Sequence, residues 1–257
     1  MTKYEIRLIK QLSLCFLLLL LGILTDSCHR IASEADTYKM KDGKKLIITP
    51  IKHASVEMNY NGLEFEIDPV ASNVRPIVEY FDKPKADYIL VTHKHDDHFD
   101  KSGILTLTDG TKTQILMDIS SWNRYYHKGM HISNGQKAIL GNGITIYAVP
   151  AYNITKKYRK VHQKGVGNGY VIDFNGFRVY IAGDTELIPE MKQLKHIDIA
   201  FLPCNQPYTM TLKQLREAVL LIRPKVVYPY NWGKTKPEAI KKALQGVPSE
   251  VKMKYFK

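Results

Sequence analysis

The stretch Tyr88-Ile-Leu-Val-Thr-His-Lys-His-Asp-Asp-His98 joins an apolar run to a dense group of ionisable side chains. Its first five residues are a continuous β-prone run, which is typical of a strand buried on both faces of a sheet. The order His-x-His-x-Asp-His follows directly. Imidazole and carboxylate groups are good ligands for zinc and similar divalent ions. The stretch therefore predicts a metal site at the end of a buried strand.

The spacing inside this motif divides its ligands into two pairs. His93 and His95 share a side if the strand geometry continues, because successive side chains of a strand alternate. Asp97 and His98 belong to the turn beyond, so the two pairs can face two different ions. A solvated histidine-rich loop is the alternative, although chance seldom produces this order of ligands.

Outside the motif, residues 45–257 alternate β-prone runs with helical patterns and contain no linker or repeat. The early part is rich in hairpins, with Asn61-Gly62 as a strong turn signal, and the later part is mixed. This favours an α/β domain whose sheets are covered by helices. Strands are predicted at 45–51, 55–60, 63–67, 88–92, 114–117, 144–149, 169–174, 178–182, 197–202 and 225–230. Helices are predicted near 73–81, 121–127, 187–194, 212–222 and 237–244.

The composition is that of a folded domain with a strongly positive net charge. Of 257 residues, 44% are hydrophobic, which is ample for a core, and three cysteines are too few for a disulfide framework. The formal net charge of +12 permits a nucleic acid, an anionic membrane or an acidic substrate as partner. Lysines are spread along the whole chain, which argues against a nucleic-acid groove.

The first 27 residues predict an export signal. Three cations among the first eleven residues precede an almost wholly apolar run from Leu12 to Leu24, which is too short to span a bilayer. The next residues, Thr25-Asp-Ser-Cys28, resemble a bacterial lipoprotein cleavage site. We therefore expect Cys28 to carry the lipid, residues 28–44 to form a tether, and the mature protein to be anchored in the periplasm or at the cell surface. A short membrane anchor that stays attached is the alternative.

The motif and five further segments together resemble the metallo-β-lactamase-fold hydrolases. The resemblance covers residues 45–257 and implies a four-layer αββα sandwich with metals at one edge of its two sheets. The most similar branch is the one of ascorbate-6-phosphate lactonase-like and N-acylphosphatidylethanolamine phospholipase D-like proteins. The further segments are Ile51–Ser55, Glu66–Pro69, Pro150–Asn153, His162–Tyr170 and Gly176–Asp184.

The resemblance also implies a role for each ligand. His93 and His95 would hold the first ion, while Asp97 and His98 would hold the second. Asp184 would bridge both, and Asp97 and Asp184 are the candidate catalytic residues. A hydroxide between two cations is a strong nucleophile at neutral pH. Turn formation by Gly-Asp-Thr is the alternative interpretation of Asp184.

Two positions of the implied ligand set are open or altered. The first ion lacks a third histidine, for which His162 is favoured over Asn153, because an amide oxygen is a weak zinc ligand. Asn231 stands where the family has its final histidine, and this change weakens the second site. We therefore expect one or two divalent ions, with zinc favoured and manganese as the alternative.

Other residues are candidates for orienting ligands or contacting substrate. His53 either reaches the site or is a structural histidine, and Asp68 either orients a ligand histidine or forms a turn with the following proline. Tyr208 and Thr209 lie in a loop after a predicted strand, where substrate contacts are common. The basic run Lys156–Lys160 suits an anionic substrate, with a solvated surface as the alternative.

The sequence thus predicts a metal-dependent hydrolase that uses metal-bound hydroxide on an ester, lactone, amide or phosphodiester bond. The substrate is expected to be a small or lipid-like molecule. A non-catalytic binding protein with a weakened metal site is one alternative, supported by Asn231. A nuclease of the same fold is another, supported by the charge but opposed by the export signal.

Overall fold

Two seven-stranded sheets organise the computed structural model, which describes residues 35–254. The first sheet contains, in chain order and in spatial order, β1 (Asp36–Lys39), β2 (Lys45–Lys52), β3 (Ser55–Tyr60), β4 (Leu63–Ile67), β5 (Tyr88–Val91), β6 (Gln114–Met117) and β7 (Met130–His131). The second contains β8 (Lys137–Ile139), β9 (Ile144–Ala151), β10 (Gly167–Phe174), β11 (Phe177–Ile181), β12 (Ile199–Pro203), β13 (Val226–Tyr230) and β14 (Glu250–Val251).

Both sheets follow the same plan, which brings several strand ends together. The first four strands of each sheet are antiparallel, and the last three continue parallel to the fourth. The carboxyl ends of β4 and β5 therefore lie at one edge of the first sheet, and those of β11, β12 and β13 lie at one edge of the second. Residues that follow parallel strands at such an edge are well placed to form a site.

The helices are short, and α1, α2 and α3 each begin at a side-chain cap. They are α1 (Lys101–Leu107), α2 (Ile119–Arg124), α3 (Leu212–Ile222), α4 (Pro237–Ala243) and a 3-10 helix at Pro189–Gln193. Thr211 and Gln214 form a capping box at the start of α3. Asp100 caps α1 by accepting from the Ser102 N–H, and a Cβ at Gly103 would lie 2.2 Å from the Pro69 carbonyl oxygen. Only glycine lets α1 approach this closely.

Three apolar clusters separate four layers. One lies between the sheets, where Ile48 of β2 and Ile172 of β10 are both fully buried. A second joins the outer face of the second sheet to α3 and α4, and a third joins the outer face of the first sheet to α1. The predicted αββα sandwich is therefore confirmed, as are the ten predicted strands, whose ends deviate by at most about two residues.

One predicted helix is absent, and one observed helix was not predicted. No helix forms at 73–81, where Pro76 has no backbone N–H to donate. The buried Lys52 ammonium instead holds this loop by donating to the carbonyl oxygens of Ala71, Val74 and Pro76, at 2.6–2.8 Å. Conversely, α1 was not predicted, since Gly103 lowers the helical propensity of its sequence.

The predictions for residues 1–44 fall only partly within the described residues. The export signal, Cys28 and residues 28–34 of the predicted tether lie outside the described residues. The tether prediction is wrong for β1, which pairs with β2 in antiparallel register from Asp36 opposite Ile48 to Lys39 opposite Lys45. Backbone pairing thus extends the domain before residue 45. Within residues 35–254, no helix is long and apolar enough to cross a membrane.

Candidate metal centre

The first cluster consists of three histidines from two segments. His93 and His95 follow β5, and His162 lies in the loop between β9 and β10; their ligand nitrogens are mutually within 4.8 Å. His93 Nε2 lies 3.0 Å from His95 Nδ1. The loop is held by the Asn153 N–H, which donates to the His162 carbonyl at 3.0 Å, while His162 Nδ1 lies 3.2 Å from the Tyr208 carbonyl oxygen. His162 Nε2 is therefore left to face the cluster.

A second cluster joins the turn after β5 to the turn between β2 and β3. The ligand atoms of His53, Asp97 and His98 are mutually within 4.8 Å, and His53 Nε2 lies 3.0 Å from Asp97 Oδ2. His98 is fully buried, whereas the Asp97 side chain is one-third exposed. The structure thus brings His53 into the site, which the sequence left as one of two alternatives.

Asp184, which follows β11, lies between the two clusters. Its Oδ2 atom faces the first cluster, at 3.3 Å from His162 Nε2 and 3.9 Å from His93 Nε2. Its Oδ1 atom faces the second, at 3.3 Å from His98 Nε2. A carboxylate that offers one oxygen to each cluster has the geometry of a bridging ligand.

Asn231, which follows β13, reaches the same place but presents its nitrogen. Its Nδ2 donates to Asp184 Oδ1 at 2.6 Å and lies 3.3 Å from His98 Nε2. Its Oδ1 is buried and accepts no hydrogen bond from any residue between 35 and 254. In this orientation Asn231 fixes the Asp184 carboxylate and does not offer an electron pair to a metal.

Asp68 and Thr92 orient the His98 ring through its Nδ1 atom. Asp68 Oδ1 accepts from the Thr92 N–H at 2.7 Å, and Asp68 Oδ2 accepts from the Thr92 hydroxyl at 2.7 Å. His98 Nδ1 lies 2.7 Å from the same Oδ2. A proton on Nδ1 leaves His98 Nε2 as the nitrogen available to a metal, as in other carboxylate–histidine pairs at metal sites. Thr92 was not singled out by the sequence, although it precedes the motif directly.

The pKa shifts at the site differ between its histidines and its carboxylates. Burial lowers the pKa of His93 well below its ordinary value, which keeps the ring neutral as a ligand must be. Burial opposes the charge of Asp184, but His98 and His162 outweigh it and hold the Asp184 pKa well below its usual range. Burial likewise opposes the charge of Asp97, but His53 and His98 keep its pKa low. Asp184 and Asp68 outweigh burial and raise the pKa of His98 well above its ordinary value, so a metal ion would have to displace a proton from that ring. Imidazoles around two carboxylates are a donor set that fits divalent metal ions.

A cavity of about 300 Å³ opens over the first cluster and Asp184. Lys94 and Lys160 are also among the residues that line it. Tyr208 and Thr209, expected to contact substrate, do not line it. The Tyr208 carbonyl instead accepts from Asn153 Nδ2 at 2.8 Å, so Asn153 and this loop act together to position His162.

Two further supports of the motif could not be predicted from its sequence. The Arg124 guanidinium, from the end of α2, donates to the Lys94 carbonyl and to Asp96 Oδ1. The Lys52 ammonium holds the loop after β4, and burial lowers its pKa to about 8. Neither residue has a local motif, because each acts only through a contact with a distant segment.

A two-sheet α/β sandwich with a histidine- and aspartate-rich centre at the strand ends defines the metallo-β-lactamase fold class. The sequence model described as "Beta-lactamase superfamily domain" matches residues 47–231, and this chain belongs to that family. The family predicted by resemblance is confirmed, while the specific branch stays a prediction.

Similar proteins carry related names. A candidate metal-dependent hydrolase from Parabacteroides distasonis has a solved structure that is 43% identical, with a TM-score of 0.82, over 88% of this chain and 100% of that one. A UPF0173 metal-dependent hydrolase of Staphylothermus marinus is 31% identical over 80% of this chain and 94% of its own length. Igni18, a metallo hydrolase from Ignicoccus hospitalis, is 25% identical with a TM-score of 0.68, over 81% of this chain and 94% of that one.

Proposed function

We propose that this member of the beta-lactamase superfamily is a metal-dependent hydrolase that cleaves an ester, lactone, amide or phosphodiester bond in a small anionic substrate. The names of its relatives support the reaction class. The observation that carries the proposal is Asp184, which faces one histidine cluster with each oxygen at the floor of a cavity. Zinc is the favoured ion and manganese the alternative.

Each residue has a task in this reaction. Divalent ions, when bound, polarise the attacked carbonyl or phosphoryl group and lower the pKa of water. Asp184 sets the separation of the two ligand groups, because its two oxygens face different clusters. Asp97 is ionised and one-third exposed, so it can accept a hydrogen bond from the attacking water and orient it. Asp68 keeps the His98 ring in a fixed orientation.

The cavity favours a small substrate with a negative charge. Its volume of about 300 Å³ lies at the lower end of the range for small-molecule sites. Lys94 and Lys160 line it, and Lys160 ends the exposed basic run that begins at Lys156. A lipid-like substrate would fit with its head group in the cavity and its chain outside.

A hydrolysis screen tests this function. The protein is stripped of metal, reloaded separately with zinc and with manganese, and assayed on lactones, acyl amides, carboxylic esters and phosphodiesters, each as a neutral and an anionic form of similar size. We expect metal-dependent turnover that is faster for the anionic member of a pair. Absence of turnover on every class, with two ions bound per chain, would contradict the proposal.

Lys160→Ala is expected to weaken selection for the anionic substrate. An exposed pair of opposite charges contributes up to about 1 kcal/mol, so KM for the anionic substrate should rise about fivefold while kcat stays unchanged. KM for the neutral analogue should not change. Lys137→Ala, in β8 and away from the cavity lining, is the control. Equal changes in both KM values would show that Lys160 does not distinguish the anionic substrate from the neutral one.

We also propose, from the sequence, that the protein is exported and held at a membrane by a lipid on Cys28. Cys28→Ser should move the protein from the membrane fraction to the soluble fraction and abolish labelling by a radioactive fatty acid. Cys15→Ser, within the apolar run, is the matched control and should change neither measurement. Membrane retention of Cys28→Ser without label would favour an uncleaved anchor.

A further inference from the structure

The second cluster lacks a nitrogen donor at position 231. Asn231 turns its NH2 group toward Asp184 Oδ1 and His98 Nε2, at 2.6 Å and 3.3 Å. An amide NH2 donates hydrogen bonds and has no electron pair for a metal. An ion held by Asp97 and His98 therefore needs another protein ligand if it is to be held as firmly as the first.

His53 lies at the place from which that ligand can come. Its Nε2 is 3.0 Å from Asp97 Oδ2, and its ring lies edge-on to the His98 ring with centroids 5.6 Å apart. Ligand atoms on one tetrahedral zinc ion are separated by about 3.3 Å, from bond lengths of about 2.0 Å. The spacing of His53 and Asp97 is close to this value.

The backbone fixes His53 in relation to Asn231. His53 occupies the turn between β2 and β3 with a φ of 48°, which is uncommon for a residue other than glycine. Its carbonyl accepts from the Asn231 N–H at 2.9 Å. The preceding residue, Lys52, is tied to three carbonyls of the loop after β4. The imidazole is thus held next to the very position at which the family's histidine is missing.

We propose that His53 Nε2 is a ligand of the ion held by Asp97 and His98, and so replaces the nitrogen donor that Asn231 does not provide. The inference rests on the metal dependence of the proposed function and not on its substrate. The competing interpretation is that His53 only donates a hydrogen bond that orients Asp97. The two differ in one respect: a ligand requires an imidazole, whereas an orienting donor can be an amide.

His53→Gln separates these roles, because glutamine keeps an N–H donor and removes the imidazole. Full-length protein and variant are stripped with a chelator and reloaded with zinc. Bound ions per chain are measured by mass spectrometry of the metal, and the affinity of each ion by competition with a coloured chelator. We expect two ions in the unaltered protein, with affinity for the second at least about tenfold lower in the variant and affinity for the first unchanged.

His127→Gln is the matched control, because His127 is exposed and its side chain contacts Asn123 and Trp122 rather than either ligand cluster. Circular dichroism and retention of the first ion show that each variant is folded. An unchanged second ion in His53→Gln, or a single ion in the unaltered protein, would overturn the inference.

A double variant tests whether positions 53 and 231 serve the same ion. Adding Asn231→His to His53→Gln supplies an imidazole from the family position, so we expect the second ion to return. A folded double variant that keeps the first ion but not the second would contradict the claim that His53 replaces the nitrogen donor missing at position 231. None of these readouts requires turnover, so a failed substrate screen with intact stoichiometry would reject the proposed reaction and leave this inference standing.

Discussion

Asp184→Asn is expected to lower hydrolytic activity at least about 1,000-fold and to weaken the binding of both ions. A factor of 1,000 corresponds to about 4 kcal/mol of barrier. The effect should be this large because Oδ2 serves His93 and His162 while Oδ1 serves His98. Asparagine offers one weak oxygen ligand in place of a charged carboxylate with two, so one of the two clusters loses its shared donor and the other loses charge.

Asp96→Asn is the matched control for this substitution. Asp96 lies in the same motif, but its side chain is 70% exposed and pairs with Arg124 outside the ligand clusters. We expect its activity and metal content to stay within about twofold of the unaltered protein. Metal analysis and kinetics on both variants measure the difference. Two firmly bound ions in Asp184→Asn would contradict the bridging role.

The strands could be predicted because their signal is local. Alternation and continuous apolar runs predicted ten strands, including the buried β5 that precedes the motif. The strands that were missed are β1, β7, β8 and β14, each of two to four residues at or near a sheet edge. Such short segments become strands because a neighbouring strand pairs with them, and their own sequence carries too few positions to show a period.

The candidate site was predictable to the extent that its residues adjoin in sequence. The motif from His93 to His98 supplies three histidines and two aspartates within six residues. The resemblance to the family predicted that Asn231 stands in place of a ligand histidine. It could not predict that the Asn231 NH2 group points into the site, because that orientation depends on a hydrogen bond to Asp184, which is distant in sequence. The pairing of His53 with Asp97 has the same character, since the hairpin turn after β2 meets the motif only in the folded protein.

The structure shows which basic residues lie at the cavity. Only Lys160 of that run lines the cavity, together with Lys94 from within the motif. Most of the lysine and arginine residues between 35 and 254 therefore lie outside the cavity lining. Only nearby charges would act on the proposed anionic substrate, because exposed charges farther away than about 8 Å are largely screened at physiological salt.

Asp68→Asn is expected to weaken the second ion by about 10-fold to 100-fold while leaving the first ion and the fold in place. The Thr92 N–H can only donate, so the oxygen of the new amide must stay at the Oδ1 position. The NH2 group then occupies the Oδ2 position and faces His98 Nδ1. His98 must accept that hydrogen bond, which moves its own proton to Nε2, the nitrogen that faces Asp184.

This tautomer switch gives the prediction a distinct pattern of results. Asp68→Asn should affect only the ion that His98 holds, whereas Asp184→Asn should affect both. Asp68→Ala should instead destabilise the protein by about 1–3 kcal/mol, measured by denaturant unfolding, because it leaves the buried Thr92 N–H and His98 without their acceptor. If Asp68→Asn bound the second ion normally, the proton of His98 would not be fixed by Asp68. The Asp68 carboxylate would then stabilise the fold without selecting the ligand nitrogen.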